Sequence, residues 1–137
     1  MKINSFKTNE RGLNRFFGPL EARIMSILWN GPEMSIKDVQ RGLEHDKSAN
    51  FNTVMTVMNR LVDKGILSKR TAGRGALYRP VQTMDEFIEN QSKELTQDLL
   101  EEFGLRAVNH MLDALEEADR DLLDKLERKI KELKKEG

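Results

Sequence analysis

The 137-residue chain contains no cysteine. That absence excludes disulfides, thiolate nucleophiles and cysteine-ligated metal centres. Its two histidines, His45 and His110, stand far apart, so no metal site and no cofactor is expected. No apolar run approaches the roughly 20 residues that a membrane-crossing helix needs. The opening stretch Met1–Gly12 lacks the apolar core of a signal peptide. The expected setting is therefore cytoplasmic, with no membrane insertion. The sequence also lacks a nucleophile–base pair, a cluster of metal ligands and a phosphate-cradling glycine loop, so an enzyme is not expected.

Net charge is zero, but its distribution is uneven. Residues 1–80 carry 14 Lys/Arg against 7 Asp/Glu, whereas residues 81–137 carry 9 against 16. Between Lys47 and Arg79 there are seven basic residues and one acidic residue, Asp63. A local basic excess of this kind is the electrostatic footprint of nucleic-acid binding. The acidic half is not suited to a polyanion.

The basic region surrounds the most informative stretch, Asn50–Leu67, NFNTVMTVMNRLVDKGIL. At about 100° per residue, Val54, Val57, Met58, Leu61 and Val62 share one helix face, with Phe51 beside them. Asn52, Thr56, Asn59 and Asp63 fall on the opposite face, flanked by Thr53 and Arg60. Asn50 suits the N-cap and Gly65 the left-handed residue after the helix. Solvated outer faces usually carry Glu and Lys; Asn and Thr are poor helix formers there. Their presence at Asn52, Thr56 and Asn59 points to a face that reads base edges. An ordinary amphipathic helix is the plainer reading of the same pattern.

Two strands are expected next, Ile66–Arg70 and Ala76–Val81, joined by a glycine-bearing turn over Thr71–Gly75. This hairpin carries Lys69, Arg70, Arg74 and Arg79. Arg74, between Gly73 and Gly75, is placed at the tip, where it can reach a phosphate; Lys69 and Arg70 lie on the strand behind. Upstream, Pro19 opens a helix with Leu20, Ile24, Met25, Ile27 and Leu28 at helical spacing, ending at Trp29-Asn30-Gly31-Pro32. Ser35 and Asp38 form a variant capping box for a second helix, with Ile36, Val39 and Leu43 inward. Helix, helix, recognition helix and two-stranded wing make up a winged helix-turn-helix.

Beyond Thr83 three amphipathic helices are expected. The first spans Asp85–Phe103 and includes Phe87, Ile88, Leu95, Leu99 and Phe103. A shorter helix after Gly104 carries Leu105, Val108, Met111, Leu112 and Leu115. The last is capped by Asp119 and shows Leu122, Leu126, Ile130 and Leu133 on one stripe, with Glu127–Lys131 as an i,i+4 pair. So short a segment buries little apolar surface by itself. It reads as half of a homodimer core, with Leu99, Phe103, Leu112, Leu122, Leu126, Ile130 and Leu133 in the interface. Folding back on the winged helix of the same chain is the alternative. The fold class is thus mainly α with a small β-hairpin wing: a flexible arm over 1–17, a winged helix over 18–83 and a three-helix dimerisation region over 84–137. The arm, with Arg11 and Arg15, could enter a minor groove or have no role.

These residues resemble the BlaI/MecI penicillinase-repressor family. The resemblance rests on GPLEARIMSILW at Gly18–Trp29, SIKDVQRGL at Ser35–Leu43, NTVMTVMNRLVDKGIL at Asn52–Leu67 and ALYRPV at Ala76–Val81. It implies a homodimeric repressor on a palindromic operator in double-stranded DNA, with Asn52, Thr53, Thr56 and Arg60 facing the duplex. It also implies a sensor protease as a further partner, acting near Arg106–Asp113. Two departures stand out. The C-terminal cysteine cluster of copper-responsive members is missing. The Asn-Phe bond cut in β-lactam-responsive members has no counterpart in His110-Met111-Leu112-Asp113. A winged helix that binds only proteins is the other function class; it would not need the basic run or the Asn/Thr face.

Overall fold

The computed structural model describes residues 7, 11–46 and 49–136. Lys47, counted above in the basic run, and most of the expected arm (1–6 and 8–10) lie outside the described residues. The chain divides into two compact units, Met1–Ser92 and Lys93–Gly137.

In the first unit, α1 (Pro19–Trp29) begins with proline at its first position, where a missing N–H costs nothing. The Gly18 amide donates to Glu21 Oε1 at 3.2 Å. At the other end Asn30 Nδ2 donates to the Ser26 carbonyl at 2.7 Å. The Ser35–Asp38 capping box opens α2 (Ile36–Gly42), its two bonds measuring 3.1 and 3.2 Å. Contact with the Ser35 backbone amide, and then with the Ser35 side chain, holds the Asp38 carboxyl below its ordinary range. In α3 (Phe51–Asp63) the Asn50 side chain caps by accepting from the Thr53 amide at 2.9 Å. Gly65 then takes a φ of +79°, the left-handed conformation that only glycine adopts freely.

Val54, Val57, Met58 and Leu61 of α3 join Ala22, Ile24, Met25 and Leu28 of α1 and Val39 of α2 in one buried cluster. The wing consists of β1 (Leu67–Ala72) and β2 (Gly75–Pro80), antiparallel, with Leu67 opposite Pro80 and Ala72 opposite Gly75. Its turn is only two residues long, Gly73-Arg74, shorter than expected, so the ladder runs further toward the tip. A positive φ at Gly73 (+60°) with none at Arg74 is the sign pattern of a type II′ hairpin turn. A bridge between Met34 and Tyr78 adds a short third rung that the sequence did not reveal. Its two backbone bonds are 2.8 and 3.0 Å.

Two boundaries differ from expectation. The arm ends earlier than residue 17: Gly12–Arg15 form a 3-10 turn, Leu13 and Phe16 pack on the core, and Phe17 is buried. The first unit also runs past Thr83, because α4 (Met84–Phe103) buries Phe87 and Gln91. The Phe87 side chain is 0% exposed. Its ring stacks on Phe17 at 5.2 Å and 17°, meets Phe16 edge-on at 5.7 Å, and lies 5.4 Å from Trp29. Trp29 Nε1 donates to the Gln82 carbonyl at 2.9 Å. Burial of these aromatic surfaces outweighs the polar composition that suggested a mobile arm.

The second unit holds the rest of α4, α5 (Leu105–Ala114) and α6 (Arg120–Glu136). Gly104, with φ +53°, separates α4 from α5. Asp119 caps α6 through the Leu122 amide at 2.8 Å, and Lys131 pairs with Glu127 at 3.1 Å. No described residue of α5 or α6 is buried.

Replacing Phe87 by Ala should destabilise the first unit by roughly 3–5 kcal/mol. Chemical denaturation followed through the fluorescence of Trp29, the sole tryptophan, measures it. A loss below about 1 kcal/mol would contradict the role assigned to this ring.

Candidate nucleic-acid interface

Because its inner face is packed, α3 presents a defined outer face. Asn52, Thr56 and Arg60 are exposed there, and Thr53 and Asn59 are half-buried. The Thr56 hydroxyl donates to the Asn52 carbonyl one turn back, at 2.9 Å. That bond uses the hydroxyl proton and fixes the side chain, leaving the methyl group and oxygen lone pairs for another surface.

Asn59 is differently engaged. Its Oδ1 accepts from the Tyr78 hydroxyl at 3.0 Å and from Lys69 Nζ at 3.1 Å. Lys69 and Tyr78 sit opposite one another in the β1–β2 register. Burial pushes the Tyr78 phenol above its ordinary value.

The wing cations also separate into two sets. Arg70 is held by Glu33 of the α1–α2 connection, Nε donating to the two carboxylate oxygens at 2.9 and 3.1 Å. Glu33 is correspondingly held below its ordinary value of 4.5, first by the hydrogen bond from Arg70 and then by the nearby positive charges of Arg70 and Arg79. Arg74 occupies the exposed turn as expected. Among the described residues Arg60, Arg74 and Arg79 form no ion pair, whereas Arg23 pairs with Asp46 and Lys64 with Glu21. Unpaired cations at the end of α3 and on the wing suit a polyanion without the cost of first breaking a salt bridge.

The structure thus gathers Asn52, Thr53, Thr56 and Arg60 on one surface and sets Arg74 at the wing tip. It turns Asn59, Lys69 and Arg70 toward partners within the protein. Sequence reasoning missed Tyr78 and Glu33. For Tyr78 a signal existed: alternation along β2 puts Ala76 and Tyr78 on one side of the strand, and a buried tyrosine seeks a partner for its hydroxyl. For Glu33, an isolated acid in a turn, no pattern pointed to Arg70.

Two helices, a third bearing the exposed polar face, and a hairpin behind it define a winged helix-turn-helix domain. The sequence matches the family described as penicillinase repressor over residues 17–132. The chain belongs to that family. Two curated relatives are each called transcriptional regulator BlaI, from Mycobacterium tuberculosis strains CDC 1551 / Oshkosh and ATCC 25618 / H37Rv. Each is 32% identical over 72 residues, which is 52% of this chain and 52% of the relative. The chain therefore spans about half the length of the curated relatives it matches. Two solved structures are distantly similar. The Helicobacter pylori ferric uptake regulator Fur has a TM-score of 0.43 and 17% identity, over 58% of this chain and 68% of that one. A MarR/EmrR family transcriptional regulator from Acinetobacter sp. ADP1 has a TM-score of 0.41 and 19% identity, over 90% and 79%.

The Glu33–Arg70 pair has a predictable pH response. A carboxyl whose value falls on folding stabilises the fold above its unfolded value, and that stabilisation is lost as pH falls through the folded value. The wing should therefore hold its position from neutral pH down past 4.5, the ordinary value of Glu33, and loosen only below it. Amide exchange in β1 followed by NMR measures this; Glu33→Gln should abolish the acid step. A step centred above 4.5 would contradict the assignment.

Proposed function

We propose that the protein is a sequence-specific DNA-binding transcriptional repressor that acts in the cytoplasm as a homodimer on a palindromic operator. The observation that carries this reading is the outer face of α3, where Asn52, Thr53, Thr56 and Arg60 lie together on a helix fixed by its buried side. Membership of the penicillinase-repressor family supports it, as does similarity to the mycobacterial transcriptional regulators BlaI. Both also favour a regulator over an enzyme. Asn pairs bidentately with adenine, and a threonine methyl packs on the thymine methyl. Arg74 supplies a phosphate contact from the wing. No helix among the described residues is long and apolar enough to cross a membrane.

Dimerisation is supported by the apolar surface that the second unit leaves uncovered. Phe103, Leu105, Leu112, Leu122, Ile130 and Leu133 are all exposed, Leu105 at 73%; Leu99 and Leu126 are half-buried. So many exposed large apolar side chains in one small unit suit an interaction face. Two joined recognition helices would meet one face of the duplex about one turn apart, roughly 34–36 Å. A single winged helix contacts too few base pairs to compete with genomic sites. Release, if proteolytic, would come by a sensor protease acting near Arg106–Asp113, at a bond other than Asn-Phe, on a helix whose described residues are all at least partly accessible.

Selection of bound duplexes from random or genomic DNA tests the main reading. On the selected site, Thr56→Ala should weaken binding about 5- to 150-fold more than on random duplex, the equivalent of roughly 1–3 kcal/mol. Arg74→Ala should weaken all sequences alike and flatten the salt slope by about 0.9. An equal loss on both duplexes for Thr56→Ala, or an unchanged slope for Arg74→Ala, would contradict these roles.

Leu126→Glu should convert the dimer to a monomer by sedimentation and reduce full-operator affinity toward that of a half-site, a loss of roughly 10²–10⁴. The intact chain sedimenting as a monomer at micromolar concentration would overturn the dimer.

A further inference from the structure

Helical spacing puts Asn59 on the outer face of α3, in line with Asn52 and Thr56, where an asparagine would be expected to meet a base. Its bonding points elsewhere. Its Oδ1 receives the Tyr78 hydroxyl at 3.0 Å and Lys69 Nζ at 3.1 Å. An ammonium group only donates, so the amide must turn its oxygen, not its nitrogen, toward Lys69. Both lone pairs of that oxygen are then used. Bidentate pairing with adenine requires the same oxygen to accept from the base while the amide nitrogen donates to it. The two tasks exclude each other.

The internal bonds are also the costlier to break. Tyr78 is 2% exposed, and a buried hydroxyl stripped of its acceptor loses the full desolvation cost. Tyr78 is in addition bonded through its backbone to Met34 in both directions, at 2.8 and 3.0 Å. One oxygen on α3 therefore ties the helix to both strands of the wing, and through Tyr78 to the connection that precedes α2.

We propose that Asn59 is a positioning residue of this DNA-binding surface: through Tyr78 and Lys69 it fixes the wing on α3, and base reading is left to Asn52, Thr53 and Thr56. This inference rests on the repressor reading above. Lys69, held in the same brace at 3.1 Å, keeps its charge and two further N–H donors, while the wing tip meets the backbone through Arg74.

The test uses Asn59→Ala, Tyr78→Phe and the double variant in the full chain, with sites selected from random duplexes for each. Tyr78→Phe removes one oxygen and keeps the core volume, so a folding failure of Asn59→Ala leaves the question answerable. Each single variant should weaken operator binding roughly threefold to tenfold, and the double no more than Asn59→Ala alone, because that change already removes the Tyr78 bond. Base preference should stay that of the parent at every position. The salt slope of Asn59→Ala should fall toward that of Arg74→Ala, since a loosened wing no longer holds Arg74 at the phosphate. Loss of preference at one base pair in Asn59→Ala, or additive effects in the double variant, would overturn the proposal. A readout without DNA separates the two readings. Tyr78 is the sole tyrosine, and its hydroxyl proton should exchange slowly by NMR in the parent and rapidly in Asn59→Ala. Equal exchange in both would overturn the brace. A parent chain that binds no duplex would overturn the repressor reading instead.

Discussion

Burial of the inner face of α3 is the constraint on which the rest of the first unit depends. Val54, Val57, Met58 and Leu61 enter the same cluster as Ile24, Met25 and Leu28 of α1. A helix carrying Asn52, Thr53, Thr56 and Asn59 has little intrinsic stability, since these side chains compete for the backbone. It persists because tertiary packing supplies what propensity does not. Once one face is buried, rotation about the helix axis would expose apolar surface. The polar face is therefore aimed without any contact of its own being needed to aim it.

The wing presents the opposite problem. A two-stranded hairpin is at best marginally stable alone, and a flexible wing could not deliver Arg74 to a fixed point. Three attachments secure it: the backbone bridge from Tyr78 to Met34, the ion pair of Arg70 with Glu33, and the bonds from Tyr78 and Lys69 to Asn59. The last two engage polar or charged side chains that composition alone would count toward DNA. The basic run is thus divided between cations that build the surface and cations that remain for a ligand. That is why charge density locates such an interface better than it identifies its contacts.

The two units differ in how far they satisfy their own apolar residues. In the first, Phe16, Phe17, Trp29 and Phe87 close around one another, tying the chain before α1 to the start of α4. In the second, leucines and isoleucine on α6 stay open. Short helices enclose little volume for their surface, so their apolar stripes stay uncovered within the unit, and charged pairs such as Glu127–Lys131 contribute little to its stability.

Much of this was legible in one dimension. Periodicity marked the six α-helices of the described residues, because the 3.6-residue repeat of apolar positions is written directly in the order of residues. Caps at Asn50, Ser35 and Asp119, the proline at the start of α1 and the glycines at Gly65 and Gly104 are local effects within a few residues, and they appear where their chemistry implied. The winged-helix order and the family resemblance follow from the same short-range signals. Tertiary structure alone decided the rest. It docked Phe16 and Phe17, extended the first unit through Phe87, added the Met34–Tyr78 rung, and bonded Asn59, Lys69 and Arg70 to neighbours within the protein. Each of those outcomes depends on a partner far away in sequence: Phe17 with Phe87, Glu33 with Arg70, Asn59 with Tyr78. Helical spacing says which way a side chain leaves its own axis. It carries no information about which neighbour waits there, and that neighbour determines whether a polar group is free to read DNA or already bonded within the protein.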